Sequence, residues 1–312
     1  MSVAAPPETG GRTTALALSA AVASGAMVAL QQRFNGELKT ALGDALLTAL
    51  VSFGTGLVAV VVVVLSRPSA RAALRRVRDV PWVQRLGGLG GAALVVVGAA
   101  AAPELGVALL SVGLVAGQTS GGLVVDRAGW GPGGSRALTP PRVLGATLCL
   151  VAVGISVLGE GARAASPVLV LLIVVAGFAI SVQQALNGRV RVTTGDAGVA
   201  TLVNFVVGTV ALALGVLVHV AVAGLDVGPW PGPEQWYLYL GGPMGALFVA
   251  IAAITVRTLG VLRLGLAITA GQLVGALLLD VLAPVSGAGV EALTVIGVAL
   301  TLVAVHVSGR RS

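Results

Sequence analysis

The sequence contains one passage twice, and this duplication constrains the fold more than any other feature. Residues 25–56 and 177–208 align without a gap at an offset of 152. The shared positions are Gly25, Gln31, Gln32, Asn35, Gly36, Gly43, Asp44, Phe53 and Gly56, which recur as Gly177, Gln183, Gln184, Asn187, Gly188, Gly195, Asp196, Phe205 and Gly208. At an offset of 154, Trp82, Gly87, Gly88, Gly91, Gly117, Gln118 and Asp126 recur as Trp236, Gly241, Gly242, Gly245, Gly271, Gln272 and Asp280. The repeating unit is therefore about half of the chain.

The composition indicates a membrane protein. With 56% hydrophobic and 10% charged residues and a mean hydropathy of +1.00, the 312 residues carry too little polar surface for a soluble globule. Apolar windows long enough to cross a bilayer lie near 13–34, 41–65, 82–102, 105–126, 142–159, 167–188, 197–223, 236–256, 261–282 and 290–307. Only Pro103 and Glu104 separate the third window from the fourth.

These windows predict an all-α polytopic membrane protein with about ten transmembrane helices, arranged as two inverted five-helix repeats. Residues 1–12 would form a cytoplasmic tail, 13–160 the first repeat and 161–312 the second. Because five is an odd number, the second copy must enter the membrane from the opposite side. The charges agree, since the loop after helix 2 carries six arginines and its counterpart after helix 7 carries none.

Basic residues predict the orientation. All but three of the 19 Lys and Arg residues fall on one side of the ten helices, and the exceptions are Arg33, Lys39 and Arg163. The positive-inside rule therefore predicts a multi-pass protein of the cytoplasmic (inner) membrane with both termini in the cytoplasm. The net charge of +7 reflects this topology and an anionic lipid surface, so we expect the lipid bilayer and no nucleic acid as a partner. The sequence leaves a homodimer open.

Two glutamines are the first candidates for contact with a substrate. Gln118 and Gln272 lie near the middle of helices 4 and 9, and each follows a glycine that would leave space beside it. Polar side chains in lipid need a partner or water, and transporters built from repeats hold their substrate near the midplane. The alternative is an interhelical hydrogen bond that only stabilises the bundle.

A second polar set follows from the Gln-Gln-x-x-Asn-Gly passage. Gln31 and Gln32 share a helix face with Asn35, and their counterparts are Gln183, Gln184 and Asn187. The glutamines would line the two approaches to the site or simply lie at headgroup depth. For Asn35 and Asn187, each followed by a glycine, the prediction is a C-terminal helix cap.

Four further positions are repeat equivalents. Ser52 and Asn204 lie about a third of the way into helices 2 and 7, where Asn204 should face the bundle interior and Ser52 could bond to its own backbone. Asp44 and Asp196 precede these helices, and we predict that they act as N-terminal caps.

The residues that are missing argue against enzymatic chemistry. All 12 acidic residues lie in predicted loops or at helix ends, and no nucleotide-binding loop, nucleophile–base pair or metal-ligand cluster has a usable spacing. We therefore expect no catalytic residue, no metal and no cofactor. Cys149 is the single cysteine, so no disulfide forms within the chain.

The motifs at 25–44 and 117–126, with both repeats of them, resemble the YdcZ-like branch of the drug/metabolite transporter superfamily. The resemblance covers nearly the whole chain in a fused two-repeat form. It implies a ten-helix inverted-repeat carrier, distantly related to small multidrug resistance proteins. Those proteins use a glutamate in their first helix, whereas the stretch from Ser24 to Val28 here has no acid.

These observations favour a secondary transporter that moves an unknown small polar or amphipathic solute by alternating access. A lipid-linked sugar or other amphiphile flipped between leaflets belongs to the same class. Its rival is a non-transporting membrane assembly or sensory component, in which the amides serve packing alone.

Overall fold

The computed structural model describes residues 10–132, 134–135, 137–156, 167–224, 226–283 and 292–308. Residues 1–9 of the predicted tail, the repeat junction at 160–161 and the side chain of Cys149 lie outside this description, whereas residues 10–12 of that tail begin the first helix. The described part contains helices and no strand. The α-helices are α1 (Gly10–Leu42), α2 (Ala45–Ser66), α3 (Pro68–Leu74), α4 (Trp82–Arg85), α5 (Gly88–Ala128), α6 (Pro140–Ser156), α7 (Pro167–Thr194), α8 (Ala197–Ala223), α9 (Gly241–Leu282) and α10 (Ala292–Ser308). Two 3₁₀ helices, Arg75–Asp79 and Pro233–Leu240, precede α4 and α9.

The predicted all-α polytopic fold is confirmed. Within the described residues, the segments that are long and apolar enough to cross a membrane are Thr13–Leu42, Ala45–Ser66, Trp82–Val107, Leu109–Ala128, Pro167–Thr194 and Ala197–Ala223. Shorter apolar helices include Ala267–Leu282 and Val295–Ala304. Helices α5 and α9 have 41 and 42 residues, about twice the length that a bilayer requires, so each is long enough for two crossings of the predicted ten.

The helices that carry the Gln-Gln passage are longer than the sequence predicted. Helix α1 continues to Leu42 and α7 continues to Thr194, so Asn35 and Asn187 lie inside helices and their predicted capping role is wrong. Each helix ends instead at a glycine with positive φ, 83° at Gly43 and 77° at Gly195. A left-handed glycine supplies the turn, so an asparagine one or two turns earlier is not needed for it.

The boundary between the third and fourth crossings lies at a backbone break in α5. Gly106 has φ 74° and ψ 162°, a conformation that strongly favours glycine. The break frees the N–H of Val107, which donates to the Asp280 carboxylate over 3.1 Å. Asp280 belongs to the last turn of α9 in the other repeat, so a carboxylate from one repeat caps a helix of the other.

The two repeats interlock through reciprocal helix contacts. The glycine backbone of Gly25 in α1 lies against Ile268 and Gln272 of α9. Its repeat equivalent, Gly177 in α7, lies in the same way against Leu114 and Gln118 of α5. The contact is also glycine-based from the other side, because Gly271 lies against Val22 and Gly117 lies against Val174. Each repeat therefore packs its first helix on the fourth crossing of the other repeat, with small residues on both surfaces.

An aromatic pair marks the centre of this arrangement. Phe53 and Phe205 are repeat equivalents, and their rings stack with centroids 4.9 Å apart and an interplanar angle of 30°. The ring of Phe205 lies on Gly56 and the ring of Phe53 lies on Gly208. A pseudo-twofold axis consequently passes between the two rings.

An ion pair and a histidine–carboxylate contact join the opposite ends of α2 to α8. Arg67 lies 3.2 Å from Asp196, and His219 Nε2 lies 3.7 Å from Asp44. Arg67 and His219 are repeat equivalents, as are the two aspartates. We refer to the end of the bundle that holds Gly43 and Asp44 as the Gly43 face, and to the end that holds Gly195 and Asp196 as the Gly195 face.

The close packing between the two repeats can be tested by replacing either of two glycines with alanine. A Cβ on Gly25 would meet the backbone of Ile268 and would lie 2.8 Å from the backbone nitrogen of Gln272, whereas a Cβ on Gly54 would meet nothing within 4 Å. We expect Gly25→Ala to destabilise the fold by about 1–3 kcal/mol, because overpacking forces two helix backbones apart. Thermal unfolding in detergent measures the difference. Gly54→Ala is the matched control, and equal melting temperatures for the two variants would contradict the close approach.

Candidate functional site

Eight polar residues form two clusters related by the pseudo-twofold axis. The Gly43-side cluster consists of Gln31, Gln32, Asn35 and Ser52. The Gly195-side cluster consists of their repeat equivalents Gln183, Gln184, Asn187 and Asn204. Seven of the eight are buried and Gln184 is half-buried. In both clusters, residues from the first two crossings of one repeat lie against glycines on a third crossing. Most of these glycines belong to the other repeat, and Gly98 belongs to the same repeat.

The Gly43-side cluster lies against three glycines. The Asn35 carboxamide and the Ser52 hydroxyl both approach the position that a Cβ would take on Gly241. One turn away, a Cβ on Gly245 would lie 2.7 Å from Gln31 Nε2. The amide of Gln32 points to a different helix and packs on Gly98 of α5. The amides therefore fit because glycine has no side chain at these three positions.

The Gly195-side cluster repeats this packing with an added hydrogen bond. The amide of Asn187 lies on Gly87, 2.6 Å from the position of a Cβ, and the amide of Gln183 lies on Gly91. Asn187 Nδ2 donates to Asn204 Oδ1 over 2.9 Å. The two asparagines thus connect α7 to α8 inside the bundle.

The clusters differ in how many of their polar atoms are satisfied. Within the described part of the chain, both amide atoms of Gln32, both amide atoms of Asn35 and the Ser52 hydroxyl have no hydrogen-bond partner on the Gly43 side. On the Gly195 side, Gln183 Oε1 is the one buried cluster atom without a partner among the same residues. Because a buried polar group without a partner is costly, the Gly43-side cluster is the more unusual of the two.

The structure places the two midplane glutamines in different surroundings. Gln272 is only 1% exposed beside Gly25, and its Nε2 has no partner. Gln118 is half-buried, and its backbone carbonyl accepts a hydrogen bond from Ser181 Oγ over 2.7 Å. Both lie at the reciprocal contacts between the repeats, beside Gly25 and Gly177.

The helix-capping aspartates lie outside the clusters. Asp44 accepts a hydrogen bond from the Leu47 N–H over 2.6 Å, and Asp196 accepts one from the Val199 N–H over 3.1 Å. The buried carboxylates that the structure describes are Asp126 and Asp280, at the ends of the fourth and ninth crossings. The chemistry of the clusters is therefore that of neutral amides and a hydroxyl, which bind by hydrogen bonds and do not transfer protons at neutral pH.

The sequence did not predict that Asn35 and Asn187 lie inside helices as buried cluster residues. Each stands next to a glycine, a pattern that suggests the end of a helix. The Gly-Asp pairs at 43–44 and 195–196 were the available signal, since a left-handed glycine followed by an N-cap aspartate completes the turn by itself. It also missed the glycines Gly87 and Gly241 as packing partners of the asparagines.

The unequal pairing predicts unequal effects of alanine at equivalent positions. Asn204→Ala should lower stability by about 1–3 kcal/mol, because it leaves the buried Asn187 amide without its partner. Ser52→Ala should be nearly neutral, because the Ser52 hydroxyl has no partner to lose. Thermal unfolding of the two variants measures both losses of stability. A larger loss of stability for Ser52→Ala than for Asn204→Ala would contradict the geometry.

Comparison with known proteins agrees with the two-repeat architecture. A family described as "Putative inner membrane exporter, YdcZ" matches residues 16–156 and again residues 168–307. Nine chains of solved structures match this chain. One of them, described as "Crystal structure of protein", aligns over 96% of this chain and 96% of that chain, with a TM-score of 0.61 and 22% sequence identity. This similarity shows a shared fold. No curated protein gives a significant match. The chain therefore belongs to this inner membrane exporter family of the drug/metabolite transporter type, in a fused two-repeat form.

Proposed function

We propose that the protein is a secondary transporter that moves a small polar or amphipathic solute across the cytoplasmic membrane by alternating access. The observation that carries this proposal is the reciprocal packing of the repeats around the Phe53–Phe205 pair. Two inverted halves related by a pseudo-twofold axis can exchange conformations with each other, and such an exchange would supply the two states that alternating access requires.

The helix contacts favour movement between these states. Gly25 and Gly271 leave α1 and α9 in backbone contact without interdigitating side chains, and Gly177 and Gly117 do the same for α7 and α5. Smooth surfaces of this kind slide past each other with little rotamer rearrangement. Gln118 and Gln272 lie on these sliding surfaces, where a change of packing alters their exposure.

The polar side chains suit an uncharged or weakly charged solute. In the proposal, Gln118 and Gln272 contact the solute, while Gln31, Gln32, Gln183 and Gln184 line its approaches together with Ser52 and Asn204. Amides offer donors and acceptors in equal measure and no net charge.

The Gly195 face is proposed to be cytoplasmic. Exposed arginines collect there on and around α3, namely Arg67, Arg71, Arg75, Arg76 and Arg78. The Gly43 face instead carries Arg33 in an ion pair with Glu37 and the half-exposed His219. The positive-inside rule then puts both termini in the cytoplasm.

The burial of Gln272 also supports the rival function, a non-transporting membrane component. A glutamine that is 1% exposed beside a glycine is placed as a packing residue would be. Only a transport measurement separates the two functions.

Solute flux into liposomes tests the proposal. Purified protein is reconstituted and screened with labelled amides, polyols, organic cations and carboxylates. We expect flux of at least one uncharged class, reduced about tenfold or more in Gln118→Leu plus Gln272→Leu, because the loss of one hydrogen bond to a solute is worth up to about 1.5 kcal/mol.

The matched control is Val124→Leu plus Val274→Leu, which changes lipid-facing residues of the same two crossings. Its flux should equal that of the wild type. An absence of flux for every solute class, with correctly folded protein, would favour the non-transporting component. Unaltered flux in the glutamine double variant would remove these two residues from the site.

A further inference from the structure

We propose that Asn35 and Ser52 form a binding subsite for an uncharged carboxamide group of the solute. The inference deepens the proposed function, on which its role in transport rests. Binding itself is measurable without transport.

The first argument is the shape of the subsite. Asn35 Oδ1 and Ser52 Oγ converge on the face of Gly241, and a Cβ there would lie 3.3 Å from the hydroxyl and closer still to the amide. The neighbouring Gly242 lies against the backbone of Ser52, so α2 and α9 are held together just beside the polar atoms. Because Gly241 carries no side chain, the two polar groups lie together against a bare helix backbone inside the bundle.

The second argument is the set of unpartnered atoms. Asn35 Nδ2, Asn35 Oδ1 and Ser52 Oγ are all buried, and none has a hydrogen-bond partner among the residues that the structure describes. Buried polar groups are retained at a cost in stability unless another group satisfies them. The Asn35 amide and the Ser52 hydroxyl together suit a group that both donates and accepts.

The third argument comes from the equivalent place in the other repeat. There, the carboxamide of Asn204 lies at the position equivalent to Ser52 and accepts the hydrogen bond from Asn187. Serine carries a hydroxyl where asparagine carries a carboxamide, so its side chain is the shorter and smaller of the two. The fold thus shows which group fits beside the asparagine, and on the Gly43 side the chain leaves that group to a ligand.

The fourth argument is charge. Arg33, the basic residue next to Gln32, is paired with Glu37 at 2.6 Å. The carboxylate of Asp280 is held at the helix break by the Val107 N–H. Asn35 and Ser52 are themselves neutral, so they give no advantage to an ion over a neutral amide and leave the desolvation cost of the ion uncompensated.

The sharpest test copies the other repeat into the subsite. Ser52→Asn should create a hydrogen bond between Asn35 and the introduced carboxamide, equivalent to the bond between Asn187 and Asn204, and fill the subsite with the protein's own amide. The probes are malonamide, a neutral diamide that crosses lipid slowly, and its charged counterpart malonate. Binding is read as the shift in melting temperature of the full-length protein in detergent, and flux is read in liposomes.

We expect malonamide to raise the melting temperature of the wild-type protein and malonate to leave it unchanged. Ser52→Asn should weaken malonamide binding and flux about tenfold or more while keeping or raising the stability of the unliganded protein. Val274→Leu is the control on α9 and should bind like the wild type. If Ser52→Asn does not fold, Asn35→Ala replaces it, since the Asn35 side chain has no partner among the described residues that its removal would leave unpaired.

The outcomes separate this inference from the proposed function. Equal binding of malonamide and malonate, no binding, or binding that survives both Ser52→Asn and Asn35→Ala would overturn the subsite. Flux of another solute class without malonamide binding would overturn the subsite and leave the transporter proposal intact. Malonamide binding without flux of any solute would support the subsite and contradict transport.

Discussion

The structure depends on backbone contact between helices at glycine. Within a bilayer, apolar side chains gain little by leaving lipid, so helix association rests on close van der Waals packing. Here the closest packing joins the two repeats, through Gly25 against α9 and Gly177 against α5. Since neither repeat contributes both surfaces of these contacts, the fold is completed only when each repeat packs against the other. Asp280 adds a polar connection of the same kind, because it caps a helix that begins in the first repeat.

The same glycines determine where polar groups can lie. A carboxamide in lipid-facing surroundings is costly, but a carboxamide against a bare helix backbone is shielded from lipid and remains close to the centre of the bundle. Four amides illustrate the rule, with Asn35 on Gly241, Asn187 on Gly87, Gln31 on Gly245 and Gln183 on Gly91. Glycine thus determines both the close packing and the places for polar groups. One difference between the repeats, serine at position 52 and asparagine at position 204, accompanies the hydrogen bond that Asn187 makes to Asn204 and that Asn35 lacks among the described residues.

The sequence determined the architecture because duplication and hydropathy act over the whole chain. It predicted the two repeats, the helical class and the residues of the clusters, because the second copy follows the first at an offset of 152 residues that is visible without a structure. It did not predict that α1 continues past Asn35, because Asn-Gly is a common helix end and the true end at Gly43 differs only in having a left-handed φ. It also did not predict which amides pair, because Asn187 and Asn204 lie on different helices whose relative rotation is set by the glycine contacts.

The orientation of the two repeats is the central claim, and side-specific labelling tests it most directly. In a Cys149→Ala background, one cysteine is placed at Ser69 after α2 and another, in a separate variant, at Glu234 after α8. Both native residues are exposed. With a membrane-impermeant maleimide on intact cells, the account predicts labelling at position 234 at once and at position 69 only after the membrane is permeabilised. Labelling of both positions from the same side would contradict it.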